Sequence, residues 1–307
     1  MERHVRTDLS GLAPEEAPPA RRARRRFQPA PYLLGLPAIL WLAILFIVPM
    51  FTMLSLSLQT CDPATFACTM TWNFGEFSHV ISQYHEQLIR SIVYAGTATV
   101  IDLVVAFPLA YWIAFYGGRR KNFFLLMLLV PFFVSFVIRT TAWQFLLADQ
   151  GPILQPLKTL GVLPENYHVL ATWIAVVAGM AYNYLPFTAL PLYVALERID
   201  RRVIEASGDL YSNRRAVFLR VIFPLAIPGI FAAFLLTFVP MAGDFVNASI
   251  LGGVNNTMIG NVIQDAFLVQ SDYPAASALS AILMAAMLVG IFAYSKILGS
   301  RTIEEYV

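Results

Sequence analysis

Long uninterrupted runs of apolar residues dominate this chain. Crossing a bilayer as an α-helix takes about 20 consecutive apolar residues, and six runs meet that requirement. They cover residues 32–58, 91–116, 123–148, 169–196, 221–245 and 273–298. The runs are continuous rather than alternating between apolar and polar residues, and lipid offers no partner to an open sheet edge. The pattern therefore predicts an all-α membrane protein with six transmembrane helices.

The basic residues predict on which side of the membrane each loop lies. Lys and Arg collect in cytoplasmic loops, and 18 of the 21 in this chain fall in the two tails or in the loops on the tails' side. Only Arg90, Arg139 and Lys158 lie elsewhere. We therefore expect a multi-pass membrane protein with both termini in the cytoplasm, the arginine-rich run 21–26 acting as a topology signal.

Composition excludes a water-soluble globule. Charged residues make up 13% of the chain, against roughly 25% in soluble domains. We expect the lipid bilayer, and no nucleic acid, among its partners.

Residues 1–30 are polar, rich in Pro and Ala and without apolar periodicity, which predicts a disordered tail. Cys61 and Cys68 fall in the first outer loop, where an oxidising compartment permits a disulfide; two free thiols are the alternative.

The sequence shows none of the catalytic motifs that would predict an enzyme. There is no GxSxG and no HExxH, and no Lys follows a Gly, so a Walker A phosphate loop is impossible. All four histidines fall in the tail or in outer loops. We therefore predict no catalytic residue, no metal ligand and no cofactor in this chain. An intramembrane enzyme would need a nucleophile and a base within the spans, and no such pair is visible.

The loop between the fourth and fifth apolar runs is long and mixes charges with apolar residues. Val203, Ile204 and Leu210 recur at a spacing that places them on one face of a short helix. Such a helix either lies in the membrane interface or docks into a groove on a partner protein.

The same loop resembles the EAA loop of bacterial ABC-importer permeases. Glu205, Ala206 and Ser207 match its Glu-Ala-Ala, and Pro224 stands in register with its later Pro. Tyr211 occupies the position of the motif's Gly, which is a departure from the pattern. In that family the loop forms a coupling helix on the cytoplasmic ATPase. The resemblance implies this role for Glu205, Ala206, Ser207 and Asp209.

Three further segments narrow the resemblance to permeases of the spermidine/putrescine type. They are residues 139–143 (RTTAW), residues 185–193 (LPFTALPLY), and residues 243–261, which contain GDF, LGG and MIGN. The likeness runs in order over residues 85–298. It implies a type I ABC-importer permease of the bacterial inner membrane that moves a small solute by alternating access, and the solute it suggests is a polyamine.

The resemblance also implies a division of the chain and a set of partners. We expect a basic cytoplasmic tail at 1–30, a first helix and outer loop at 31–84, a permease core at 85–298 containing the EAA-like loop 197–224, and a cytoplasmic tail at 299–307. The implied partners are a second permease, two ATPase subunits that hold the ATP and Mg, and an extracytoplasmic solute-binding protein.

Polar residues at membrane depth are the candidates for the solute pathway. An ionisable group there costs about 2.5–3.5 kcal/mol on insertion scales, and organic cations favour carboxylates and aromatic faces. The candidates are Asp102, Arg139, Trp143, Tyr182, Tyr184 and Asp244. The alternative for Asp102 is an interhelical hydrogen bond that fixes packing. For Arg139 it is an ion pair with Asp102 or a side chain that snorkels outward, and for Asp244 it is an interfacial position. For the whole protein, the alternative function is an ion-gradient-driven transporter with its ion site at Asp102.

Overall fold

The computed structural model describes residues 30–61, 68–210 and 213–304, and most of this range is helical. The elements, in chain order, are α1 (Ala30–Leu56), β1 (Gln59–Cys61), β2 (Cys68–Met70), α2 (Gly75–Tyr116), α3 (Lys121–Leu129), α4 (Phe136–Leu146), α5 (Leu154–Thr159), α6 (Trp173–Glu197), α7 (Arg201–Leu210), α8 (Arg214–Val217), α9 (Phe223–Ala242), α10 (Val246–Leu251), α11 (Ile259–Leu268) and α12 (Tyr273–Glu304). Short 3-10 turns cover Gly118–Arg120, Val130–Phe133 and Val254–Asn256, and a wider π-helical turn covers Phe218–Ile222.

Two compact units divide the chain after Pro49. The first contains most of α1, an apolar helix with Pro37 and Pro49 in it. The second contains everything from Met50 onward. The predicted tail at 1–30 falls, except for Ala30, outside the described residues, as does Tyr211. At the other end α12 continues to Glu304, so residues 299–304 of the predicted tail are helical.

Five helices in the described range are long and apolar enough to cross a membrane. They are Leu36–Leu56, Gly75–Tyr116, Trp173–Glu197, Arg214–Ala242 and Tyr273–Ala293. A sixth span is present if the bent pair Gly118–Phe133 and Phe136–Leu146 is counted as one.

The third apolar run is broken instead of forming the single helix that we expected. Its two halves meet at 87°, because Pro131 cannot donate the hydrogen bond that continues a helix and Val134 and Ser135 adopt extended ψ angles of 139° and 138°. Hydropathy measures how apolar a segment is and carries no information about such a bend. The bend turns α4 towards α6 and α10.

The centre of the second unit is formed by α2, α6 and α9. Small side chains fill the contacts, among them Ala95, Ala106 and Ala110 of α2 and Gly229 and Ala233 of α9. Small residues let membrane helices approach closely where no hydrophobic force drives them together. This packing holds α6, which carries the buried polar residues Asn183 and Thr188, between two neighbours.

The turn between α10 and α11 is tied to neighbouring elements by polar contacts. Gly253 has φ of +61° and lies so close to Ala171 that an added Cβ would stand 2.8 Å from its Cβ, so this position favours glycine. Arg90 of α2 donates to the carbonyls of Asn255 (2.8 Å) and Thr257 (3.2 Å). These bonds attach the turn to the first half of α2.

The only sheet in the described residues is a two-stranded hairpin. β1 and β2 pair antiparallel with Cys61 opposite Cys68, and a disulfide joins these two residues. The bond closes the segment 62–67, which lies outside the described range.

Candidate functional site

α7 is a short amphipathic helix seated on the bundle by one face. The Asp200 carboxylate accepts the N–H of Arg202 (2.9 Å) at the start of the helix, as a helix-capping side chain does. Ile204 packs against the cluster formed by α2, α6 and α9. Ser207 is buried beside it, and its hydroxyl donates to the Ile204 carbonyl (2.8 Å). One face of α7 is therefore fixed to the bundle.

The opposite side of α7 is free of the bundle. Glu205, Ala206 and Asp209 are exposed, and so are Val203 (46%) and Leu210 (78%). The three apolar residues expected on one face of α7 therefore lie on two. Val203 and Leu210 are seven residues apart and share the exposed face, whereas Ile204 faces the bundle. α7 anchors through Ile204 and Ser207, and presents carboxylates and two apolar side chains outward.

The segment that leads from α7 into α9 contains a wide helical turn. The N–H of Phe223 donates to the carbonyl of Phe218, five residues back. Pro224 follows and is exposed as one of the first residues of α9. A proline removes one helix hydrogen bond and crowds the carbonyl four residues before it, and a π turn is a way to accommodate that.

A second polar region lies deep in the bundle, around Asn183 of α6. Its amide nitrogen donates to the Thr140 hydroxyl of α4 (2.9 Å) and to the Asn247 side-chain oxygen of α10 (3.0 Å). All three residues have no exposed surface. We call Thr140, Asn183, Asp244 and Asn247 the polar belt, because these side chains join three elements across the bundle.

Asp244 belongs to the polar belt and is buried, with 6% of its surface exposed. One carboxylate oxygen accepts the backbone N–H groups of Val246 (2.9 Å) and Asn247 (3.0 Å), and the other accepts the Asn247 side-chain amide (2.6 Å). These three donors occupy the carboxylate, so in this conformation Asp244 fixes the start of α10.

Asp102 and Arg139 are both buried, and they do not pair with each other. Asp102 is 1% exposed and accepts one long hydrogen bond, from the Thr188 hydroxyl of α6 (3.4 Å). Arg139 is 7% exposed, and its guanidinium donates to the Asn183 carbonyl (3.5 Å) and lies over the rings of Phe132 and Phe136 at 5.4 and 5.7 Å. Its Nε has no partner among the described residues.

Two aromatic candidates do form an accessible pair. The rings of Trp143 and Tyr182 lie 5.4 Å apart between centroids, and Tyr182 is 37% exposed. Tyr184, by contrast, contacts Phe136 and Phe187 and faces inward to Asp244. Of the six pathway candidates, only this pair therefore combines an aromatic face with exposed surface.

The sequence matches a family of transport proteins over residues 99–302, described as "Binding-protein-dependent transport system inner membrane component". That match covers the helices from the second half of α2 to α12, including α7 and the polar belt. The chain belongs to this family. It is accordingly a multi-pass inner-membrane permease subunit of an ABC importer, a transport component rather than an enzyme.

A curated relative of this permease is the spermidine/putrescine transport system permease protein PotB of Haemophilus influenzae. The two are 34% identical over 256 residues, which is 83% of this chain and 89% of the relative. The sequence resemblance to this group of permeases is thereby confirmed.

Two solved structures share the permease fold. One is a bacterial ABC transporter involved in the import of the acidic polysaccharide alginate, with a TM-score of 0.66, 16% identity and coverage of 88% of this chain and 95% of that one. The other is a bacterial alginate ABC transporter in complex with an alginate pentasaccharide-bound periplasmic protein, with a TM-score of 0.63, 20% identity and coverage of 89% and 94%. At these identities the likeness establishes the fold alone.

The permease's loop between α4 and α6 carries a polar cluster that the sequence did not single out. Asp149 accepts from Lys158 of α5 (2.9 Å) and bonds to the ring nitrogen of His168. These two partners, Lys158 first, lower the pKa of the Asp149 carboxyl below its ordinary value. Sequence analysis also missed the amides Asn183 and Asn247, because it considered only charged and aromatic residues and because Asn247 follows the end of the fifth predicted run at residue 245.

Proposed function

We propose that this permease forms half of the translocation pathway of an importer for polyamines such as spermidine and putrescine. The likeness to PotB of Haemophilus influenzae over 83% of the chain supports this solute class. The pathway would open to alternate sides by rigid-body movement of the two permease halves.

The observation that carries the proposal is the seating of α7. Its anchored side, Ile204 and Ser207, attaches it to α2, α6 and α9, while Glu205, Ala206 and Asp209 remain exposed. A short helix attached to the spans on one side and free on the other can transmit the closure of an ATPase dimer to the spans. Tyr211 and Pro224 complete the proposed coupling loop.

Further partners follow from the same proposal. ATP and Mg would be bound by two cytoplasmic ATPase subunits, and the second half of the pathway by a related permease. An extracytoplasmic solute-binding protein would deliver the polyamine; the family description and the periplasmic protein in the alginate transporter complex support this partner. The distribution of basic residues supports an orientation with both termini and α7 in the cytoplasm.

Within this chain, the proposed contacts of the polyamine are aromatic. The carboxylate of Asp244 is occupied by three donors and Asp102 is buried against Thr188, whereas the Trp143 and Tyr182 rings form a partly exposed pair. A primary ammonium group is attracted to such ring faces.

Co-purification and uptake together test the proposal. The permease is isolated from native membranes in mild detergent, co-purifying proteins are identified by mass spectrometry, and uptake of radiolabelled spermidine is measured in the same cells. We expect a Walker A ATPase to accompany the native chain. We expect the Glu205→Ala/Asp209→Ala variant to lose both the ATPase and at least about 90% of uptake, the effect of weakening a contact by ~1.4 kcal/mol or more.

Glu165→Ala is the matched control, because Glu165 is an exposed carboxylate in the loop between α4 and α6. It should retain the ATPase and normal uptake. An ATPase retained by the α7 variant would place the contact elsewhere. Spermidine uptake by a native chain that purifies alone would refute the importer and favour a gradient-driven transporter.

A further inference from the structure

Two adjoining clefts open where α7 meets the end of α2 and the start of α9. The larger has a volume of about 470 Å³ and the smaller about 220 Å³. Both are lined by Tyr111 and Tyr116 of α2, by Ile204 of α7 and by Ile222 of the π turn. We call the two together the α7 cleft. It lies on the bundle side of α7, and of the two exposed carboxylates proposed to meet the ATPase only Glu205 borders it, at the smaller part.

The rim of the α7 cleft carries hydrogen-bond donors and positive charge. Arg214 lines the larger part and Arg201 the smaller, and neither is within ion-pair distance of a carboxylate among the described residues. The Tyr111 and Tyr116 rings lie 6.1 Å apart between centroids, and the Arg214 charge lies close enough to act on Tyr111. Glu205 also lines the smaller part, so the anion-accepting position is the larger one, beside Arg214.

Below this rim the wall is aromatic and apolar. The Tyr111 ring packs against Phe115 and Phe218, at 4.9 and 5.8 Å between centroids, and Phe218 in turn lies 6.3 Å from Phe223. Phe223 is 41% exposed. The surface therefore continues from a cationic rim onto exposed aromatic side chains of a membrane-spanning helix, which suits a ligand with an anionic head and an apolar tail.

The level of the α7 cleft in the membrane fits such a ligand. Tyr111, Trp112 and Tyr116 occupy the last turns of an apolar span, and Tyr and Trp mark the depth of lipid headgroups. Basic pockets between membrane helices on the cytoplasmic side bind anionic headgroups.

We propose that the α7 cleft binds the phosphodiester headgroup of an anionic phospholipid, with Arg214 and the two tyrosine hydroxyls as its ligands. The cytoplasmic orientation and the coupling role of α7 on which this inference draws belong to the proposed function above. A bound headgroup bridges α2, α7 and α8 and steadies the coupling helix on the spans. Bilayer composition thereby influences how firmly ATPase movement reaches the pathway.

Lipid retention by the full-length permease tests this inference without any ATPase. The detergent-purified chain is titrated with dioleoyl-phosphatidylglycerol or dioleoyl-phosphatidylcholine, and bound lipid is counted by native mass spectrometry. We expect the anionic lipid to bind with at least about tenfold preference, and Arg214→Gln to weaken it about tenfold, the loss of one charge-assisted hydrogen bond. Arg215→Gln is the matched control, because Arg215 does not line the cleft.

A second variant tests the same site by shape. Gly208 lines the larger part of the cleft and has no atom of the described residues within 4 Å of an added Cβ, so Gly208→Leu should fold, fill the opening and weaken lipid binding with Arg214 intact. Equal retention of the two lipids, or equal losses from the Arg214 and Arg215 variants, would overturn the proposal. So would displacement of the lipid by an equal concentration of inorganic phosphate, which would make free phosphate the ligand. None of these outcomes bears on ATPase coupling or spermidine uptake, which the preceding experiment measures separately.

Discussion

The polar belt and the α7 end of the molecule use polar side chains in opposite ways. In the belt, the Asn183 amide nitrogen and the Asp244 carboxylate are buried and hydrogen-bonded to other groups of the chain, although the Asn183 Oδ1 has no partner among the described residues. At the α7 end, Glu205, Asp209 and Arg214 are not in ion pairs with described residues, and α7 touches the bundle through one face only. Most buried polar groups are hydrogen-bonded within the chain, and the bonds that Asn183 donates join α6 to α4 and α10. The polar groups at the α7 end remain available to other molecules.

This difference separates stability from coupling. Changes in the belt or in the packing between the spanning helices should lower the free energy of unfolding and reduce uptake only as far as less folded protein remains. Changes on the outer face of α7 should leave that free energy unchanged and abolish uptake through a lost partner. The predictions that follow concern the first class, and the comparison fails if the two effects coincide.

The largest expected effect comes from Gly229 in α9. An added Cβ would stand 2.2 Å from the Ala195 Cβ of α6, so Gly229→Val must push two packed helices apart. We expect it to lower the free energy of unfolding by about 3 kcal/mol, the upper range for overpacking. Chemical unfolding in detergent, followed by tryptophan fluorescence, measures this. Gly290→Val in α12 is the control, since nothing in the part of the chain that the structure describes lies within 4 Å of its added Cβ; an equal loss there would contradict the packing argument.

Asn183→Leu should have the next largest effect. It removes both donors that join α6 to α4 and α10, and leaves Thr140 and Asn247 without those bonds in a buried site. We expect a loss of about 2 kcal/mol in the free energy of unfolding, measured in the same way. Gln150→Leu, at an exposed amide outside the spans, should change it little. If Asn183→Leu left stability intact while uptake vanished, the belt would belong to the pathway.

Two substitutions of Asp102 distinguish a role in helix packing from a role in the solute pathway. Asn in its place keeps an acceptor for the Thr188 hydroxyl and removes the charge, so Asp102→Asn should keep uptake within about twofold of native, a change of ~0.4 kcal/mol. Asp102→Leu, which leaves Thr188 without this partner, should cost about 1 kcal/mol in unfolding free energy. Spermidine uptake in cells is the measurement. A tenfold loss from Asp102→Asn alone would assign the charge to solute or ion movement.

The smallest effect is expected at Asp149. Its lowered pKa means that the ionised form is favoured in the folded protein, so this contribution is complete above the ordinary Asp pKa, near 3.9, and is lost as pH falls through the lowered value. Hydrogen exchange in α5, corrected for intrinsic rates, should be modestly faster at pH 3 than at pH 7. Asp149→Asn should reproduce the faster exchange at pH 7, and Asp265→Asn should not. Unchanged exchange in Asp149→Asn would show that the cluster does not hold the loop.

The sequence predicted the number and order of apolar runs, because the length requirement of a membrane span is explicit in hydropathy. It missed the 87° break in the third run at Pro131. Prolines also lie inside α6 and α9 without breaking those helices, so the presence of a proline does not by itself predict a break. The sequence predicted α7 from charge and spacing, yet placed Val203 and Ile204 on one face, whereas the structure divides them. It treated Asp244 as a pathway candidate, and two of the three donors around this carboxylate are backbone N–H groups, which no residue pattern reveals.

The π turn at Phe218–Ile222 sets the rotational phase between α8 and α9. Each residue advances an α-helix by about 100°, and the wide turn inserts one residue into that count. Deleting a single residue within the turn would restore a regular helix but rotate Arg214 about 100° around the axis of α9, away from the α7 cleft. The length of this five-residue turn therefore determines the rotation of α8 relative to α9. The direction in which Arg214 points thus depends on the orientation of a helix that spans the membrane.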